Sequence, residues 1–264
     1  MSGHDFIRYG GNTTAVEVTN DDGNRLLIDL GTGVTALAAE LMKGEFGKGN
    51  GTLPVLLTHT HLDHIQGLPF FSPFFIKGNQ IDIFGPEPAG EPLKQLLQDQ
   101  LNPHYSPLYG LENMAAGVTI SSIDPGSSLP IEGFEVTSGY LPHGGMKVLG
   151  FRITADNKTC AFLTDVEYPD TGPTPEALAL AKDADVLIHD SMFDDEEYAT
   201  RRGWGHSPVS RAIEVAERCG VKQVSLFHHN PDATDVVIDA MEQKAKTMTE
   251  IQLSAASENE PIEL

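Results

Sequence analysis

Cysteine, tryptophan and positive charge are all scarce in this chain. Its 264 residues include two cysteines, one tryptophan and 17 lysines and arginines against 38 aspartates and glutamates, a formal net charge of -21. Cys160 and Cys219 lie far apart, each within an apolar-patterned element, so they read as reduced core thiols rather than as metal ligands or a disulfide. The shortage of cations excludes the basic stripe that grips a nucleic-acid backbone, and no long nucleic acid is expected as a partner. No apolar run is long enough to span a membrane and no signal-like N-terminus is visible, so a cytoplasmic protein without a membrane partner is expected. With 40% hydrophobic residues and no domain-sized linker, residues 1–264 are expected to form one α/β domain, with 254–264 as a mobile tail.

Histidine, by contrast, is concentrated. The run Leu57-Thr58-His59-Thr60-His61-Leu62-Asp63-His64 follows the apolar stretch Pro54-Val55-Leu56, which reads as a buried strand. His59 and His61, two apart on extended backbone, project to the same side, whereas Asp63 and His64 lie where the chain turns. Three imidazoles and a carboxylate within six positions suit borderline divalent metals, and two adjacent metal sites are the natural result.

Four further apolar runs end in a similar way. The segment from Phe134 to Pro142 ends at His143, Cys160 to Thr164 at Asp165, Val186 to Ile188 at His189-Asp190, and Val224 to Phe227 at His228-His229. Polar residues at the ends of apolar strands collect on one rim of a sheet, where α/β proteins place chemistry. Helix-period stretches at Val34–Met42, Glu91–Leu101, Pro175–Lys182, Pro208–Cys219 and Ala233–Lys246 alternate with these strands.

On these residues the chain resembles the metallo-β-lactamase-fold metallohydrolases, whose signature H-x-H-x-D-H is met by His59, His61, Asp63 and His64. The resemblance implies an αββα sandwich, two mixed sheets flanked by helices. It also implies two divalent ions per chain, zinc first, with manganese or iron as alternatives. His59, His61 and His143 would hold one ion, Asp63, His64 and His228 the other, and Asp165 would bridge them. Asp29, in the run Leu27-Ile28-Asp29-Leu30-Gly31, would brace the metal loop.

Within that superfamily the chain is most similar to the phosphodiesterase branch that includes ribonuclease Z and the phosphoribosyl cyclic phosphodiesterases. The matching elements are Ala184 to Asp190 and Gly205-His206-Ser207. Asp190 would orient His206, which Ser207 and Pro208 place at a helix start, as N-cap and first helical residue. The resemblance implies hydrolysis through metal-bound hydroxide, with either His206 or Asp63 as proton donor. The basic arm typical of ribonuclease Z is missing, which directs the expectation to a small or cyclic phosphodiester. Hydrolysis of a thioester or lactone, and a non-hydrolytic ligand-binding or sensing role, are the alternatives. The family also implies a homodimer. Three lesser features complete the reading: His104 and Tyr105 as an exposed loop, His229 pointing away from His228, and Phe70, Phe71, Phe74 and Phe75 as core.

Overall fold

The computed structural model describes residues 3–87, 90–104, 106, 108–258 and 260–264, arranged as two compact units. One is Asn12–Asp124; the other combines Met1–Gly11 with Pro125–Leu264. Tyr105 lies outside the described residues, while His104 is exposed, its N–H donating to Asn102 Oδ1 at 3.0 Å.

The unit Asn12–Asp124 is built on a five-stranded mixed sheet in simple sequence order. Strand β1 (Val16–Thr19) pairs antiparallel with β2 (Arg25–Ile28); β3 (Thr52–Leu56), β4 (Gln80–Gly85) and β5 (Gly117–Ser122) then follow β2 in parallel. The parallel strands need crossovers. The first crossover carries α1 (Val34–Leu41) and the short α2 (Glu45–Lys48), the second the single turn α3 (Leu62–Ile65), and the third α4 (Leu93–Gln100). Leu27, Val55, Ile81 and Ile83 of the sheet are fully buried and share one core with Val34, Ala38, Leu93 and Leu97 of the helices. Phe71 and Phe74 join this core edge to face, 5.4 Å between ring centres. Phe70 departs from the expected core role, because its side chain is 62% exposed.

The other unit carries a seven-stranded mixed sheet. Its strands are β6 (Ser128–Ile131), β7 (Phe134–His143), β8 (Met146–Ala155), β9 (Lys158–Leu163), β10 (Val186–Asp190), β11 (Gln223–Phe227) and β12 (Gln252–Ala255), in the spatial order β12-β11-β10-β9-β8-β7-β6. From β6 to β9 the chain is an antiparallel meander, and β9 to β12 are parallel. Asp156 and Asn157 turn β8 into β9 with φ of 51° and 60°, the left-handed pair that a tight two-residue hairpin demands. Helices α5 (Pro175–Ala181), α6 (Asp195–Arg201), α7 (Val209–Cys219) and α8 (Asp235–Lys246) follow the sequence periodicity closely, α6 excepted. The Thr174 and Asp194 side chains accept the N–H groups of Ala177 and Glu197, capping α5 and α6. Leu163, Leu187, Val224 and Leu226 of the sheet pack with Leu180, Ala212 and Val215 of α5 and α7. Truncating one such leucine to alanine costs about 2–5 kcal/mol.

Two expected boundaries shift. Ser254 and Ala255 are not tail: they pair with Ser225 and Leu226 as the end of β12, because a fourth parallel strand satisfies the outer backbone groups of β11. Ser207 is not the cap of α7. Pro208 occupies the N-cap position and Val209 the first helical one, while the buried Ser207 hydroxyl donates to the Val166 carbonyl at 2.5 Å.

Candidate metal centre

Within Asn12–Asp124 the donors sit just past the C-terminal end of β3. His59 is buried, His61 exposed and His64 buried, with Asp63 and His64 on the turn of α3 that His61 opens. Their rings cluster: His59 lies 4.5 Å from His61 and 4.1 Å from His64, centre to centre. Asp29 organises this group, as expected. One carboxylate oxygen accepts the Thr58 N–H at 2.8 Å, and the other lies 2.8 Å from His64 Nδ1 and 3.0 Å from the Thr58 hydroxyl. That hydroxyl is in turn 3.0 Å from His59 Nδ1. A consistent proton assignment has both imidazoles donating from Nδ1, which leaves Nε2 as the nitrogen carrying the lone pair. Burial pushes the Asp29 carboxyl above its ordinary range, opposed by the His64 imidazole and the Thr58 donors. Glycine is obligatory at Gly31, where a Cβ would stand 2.5 Å from the Asp63 carbonyl.

In the other unit the sheet topology explains the rim. Strand β8 runs antiparallel to both neighbours, so β7 points the same way as β9, β10 and β11. His143 at the end of β7, Asp165 just past β9, Asp190 at the end of β10 and His228 just past β11 therefore arrive on one edge. Asp165 Oδ1 lies 3.4 Å from His228 Nε2 and 3.9 Å from His143 Nε2. His143 Nδ1 donates to the Gly205 carbonyl at 2.7 Å, again turning Nε2 toward the cluster. Asp165 and His228 reach these positions with φ of 53° and 60°, and Asp29 has φ of 62°; left-handed backbone at such residues is strain that the surrounding fold must hold.

His206 lies beside this group. Its Nδ1 is 2.8 Å from Asp190 Oδ2, and its ring stacks on that of His228 at 4.8 Å with a 21° tilt. Asp190 is fully buried and its other oxygen accepts the Ser207 and Met192 N–H groups, so its orientation is set from both sides. His189 turns inward. Its Nδ1 donates to the Asp190 carbonyl at 2.6 Å and its Nε2 accepts from the Tyr168 hydroxyl at 2.9 Å; burial lowers its pKa and raises that of Tyr168. His229 points away from His228 to the Ala256 carbonyl, 3.0 Å from Nε2.

The donor sets fit divalent metal ions: imidazole Nε2 atoms held from behind at Nδ1, with carboxylates among them. Thr58 escaped the sequence reading. Thr58 immediately precedes the first histidine, but a hydroxyl bridging Asp29 and His59 depends on a contact across 29 residues. Among the described residues no helix is long and apolar enough to cross a membrane.

Residues 24–229 match the model of the beta-lactamase superfamily domain. Ribonuclease Z of Gemmatimonas aurantiaca is 25% identical over 303 residues, covering 93% of this chain and 91% of the relative. Among solved structures, the metallo-beta-lactamase fold protein YhfI from Bacillus subtilis superposes with a TM-score of 0.69 at 20% identity, covering 96% of this chain and 94% of that one. A diphosphatase of the PhnP family gives 0.62 at 18% identity, covering 96% and 84%. With its two mixed sheets, its histidine and aspartate donors and a superfamily match across both units, the chain belongs to the beta-lactamase superfamily and is a metal-dependent hydrolase of the metallo-β-lactamase fold.

Proposed function

We propose that the chain, acting as one functional domain, is a dinuclear phosphodiesterase for a small or cyclic phosphodiester. His59, His61, Asp63, His64, His143, Asp165 and His228 are its metal ligands. The observation that carries this reading is the His206–Asp190 pair beside Asp165 and His228, because a carboxylate-oriented imidazole at a metal site is suited to protonating a leaving alkoxide. The superfamily match spans residues 24–229 and so takes in all seven ligands, which supports reading them as one set. When bound, the ions supply charge neutralisation at the phosphoryl oxygens and lower the pKa of water. The chain's own residues do the rest. Asp29 and Thr58 hold His64 and His59 in one tautomer, Gly205 does the same for His143, and Asp190 keeps the His206 ring turned for proton transfer from Nε2.

The net charge of -21 favours a substrate small enough to enter whole, since a surface of that sign repels a polyphosphate backbone. The ribonuclease names of the relatives favour a second reading, cleavage of RNA. The test is hydrolysis of bis(p-nitrophenyl) phosphate by metal-stripped protein reloaded with zinc, manganese or iron(II), with Asp165→Ala as the blank. Metal-dependent turnover that the variant lacks is expected. A panel of cyclic nucleotides, cyclic sugar phosphates and a precursor tRNA then separates the two readings. Turnover of thioester or lactone substrates alone would overturn both.

A further inference from the structure

We infer that Glu167 is a positioning residue of the site: its carboxylate holds the loop Gly203-Trp204-Gly205, which orients His143 and leads into His206. This rests on the reading of His143 as a ligand and His206 as proton donor. Glu167 Oε1 accepts the Gly203 N–H at 2.7 Å and the Tyr198 hydroxyl at 3.0 Å, and Oε2 accepts the Gly205 N–H at 2.7 Å. Its backbone N–H donates to the Pro142 carbonyl at 2.8 Å, beside His143. The Gly205 carbonyl accepts a hydrogen bond from His143 Nδ1–H. The result is a closed circuit in which one residue ties the end of β7 through its backbone N–H, and helix α6 and the stem of His206 through its carboxylate.

The loop needs such a hold. Gly203 and Gly205 have φ of 86° and 93°, and glycine backbone is the least restrained of any residue. A Cβ on Gly205 would stand 2.4 Å from His143 Nδ1, so the close approach that fixes the imidazole also forbids a stiffer residue there. Rigidity must come from outside the loop, and Glu167 supplies it through three hydrogen bonds from neutral donors to a charged acceptor. Glutamine keeps the shape but has one acceptor atom where glutamate has two.

Trp204, the chain's single tryptophan and 58% exposed, lies between the two held glycines and reports on the loop directly. The experiment compares full-length protein with Glu167→Gln and Glu167→Ala in three measurements. Tryptophan anisotropy in the metal-free protein is expected to fall in both variants, more in Glu167→Ala, with far-ultraviolet circular dichroism unchanged. Zinc titration is expected to show one class of site weakened by about 10- to 100-fold. Steady-state kinetics are expected to show kcat down by as much as about 10²-fold with KM little changed, the mark of misplacement rather than lost substrate contact. Unchanged anisotropy and zinc affinity in Glu167→Gln would overturn the inference, and that variant retains the volume if Glu167→Ala does not fold. Absence of phosphodiesterase turnover in the parent would overturn the functional reading alone, because the first two measurements need no substrate.

Discussion

His206 Nδ1 stands 2.8 Å from Asp190 Oδ2, so the imidazole is held by a buried carboxylate that is itself held by two backbone N–H groups. The carboxylate fixes the ring through Nδ1 and leaves Nε2 as the nitrogen that can face a substrate, the orientation a general acid requires.

The leaving group should therefore decide how much His206 matters. In His206→Ala, kcat for an alkyl phosphodiester should fall about 10²- to 10⁴-fold, whereas p-nitrophenolate, which leaves without a proton, should suffer far less. Asp190→Asn should show the same pattern with metal content intact. Equal losses on both substrates would remove the proton-donor assignment.

Asp29 offers a clean separation of metal binding from backbone strain. Asparagine tolerates the left-handed backbone seen at φ 62°, so Asp29→Asn keeps the turn while weakening the hold on His64 and Thr58. Metal affinity should drop about 10- to 100-fold by equilibrium dialysis. An unchanged affinity would mean that His64 needs no support from Asp29.

His189 should leave an acid signature in stability. Burial lowers its pKa below the ordinary 6.5, so the unfolded chain takes up a proton that the folded chain refuses. The contribution is nil well above pH 6.5, and stability falls as pH drops through that value, by up to about 1.4 kcal/mol per pH unit. Urea denaturation between pH 7 and 5 should give a shallower slope for His189→Asn than for the parent; identical slopes would mean that His189 binds its proton equally well when folded.

Both thiols should resist modification in the native protein. Burial pushes Cys160 up to about 12 and also raises Cys219, so thiolate is scarce and access is poor. Ellman's reagent should register no fast-reacting thiol until denaturant is added, and then two. Rapid native reaction of either would place it at the surface.

Much of this was legible in the residues themselves. The His59, His61, Asp63, His64 run, the polar ends of five apolar segments and five of the helices follow from local spacing, because ligand clustering and hydrophobic period are written in adjacent positions. Helix α6 was not legible, being short and without a buried residue. Nor was the true start of α7, where the Ser207 side chain reaches Val166, 41 residues away, rather than its own helix. Local pattern thus determined which residues could carry chemistry. Only the tertiary structure decided their partners: Asp29 on His64 across 35 residues, Asp190 on His206 across 16, and Glu167 on Gly203 and Gly205 across 36 and 38. Those pairings depend on strand order, on the common direction of β7, β9, β10 and β11, and on left-handed backbone at Asp29, Asp165 and His228. All three are set by packing and hydrogen-bond register between distant segments.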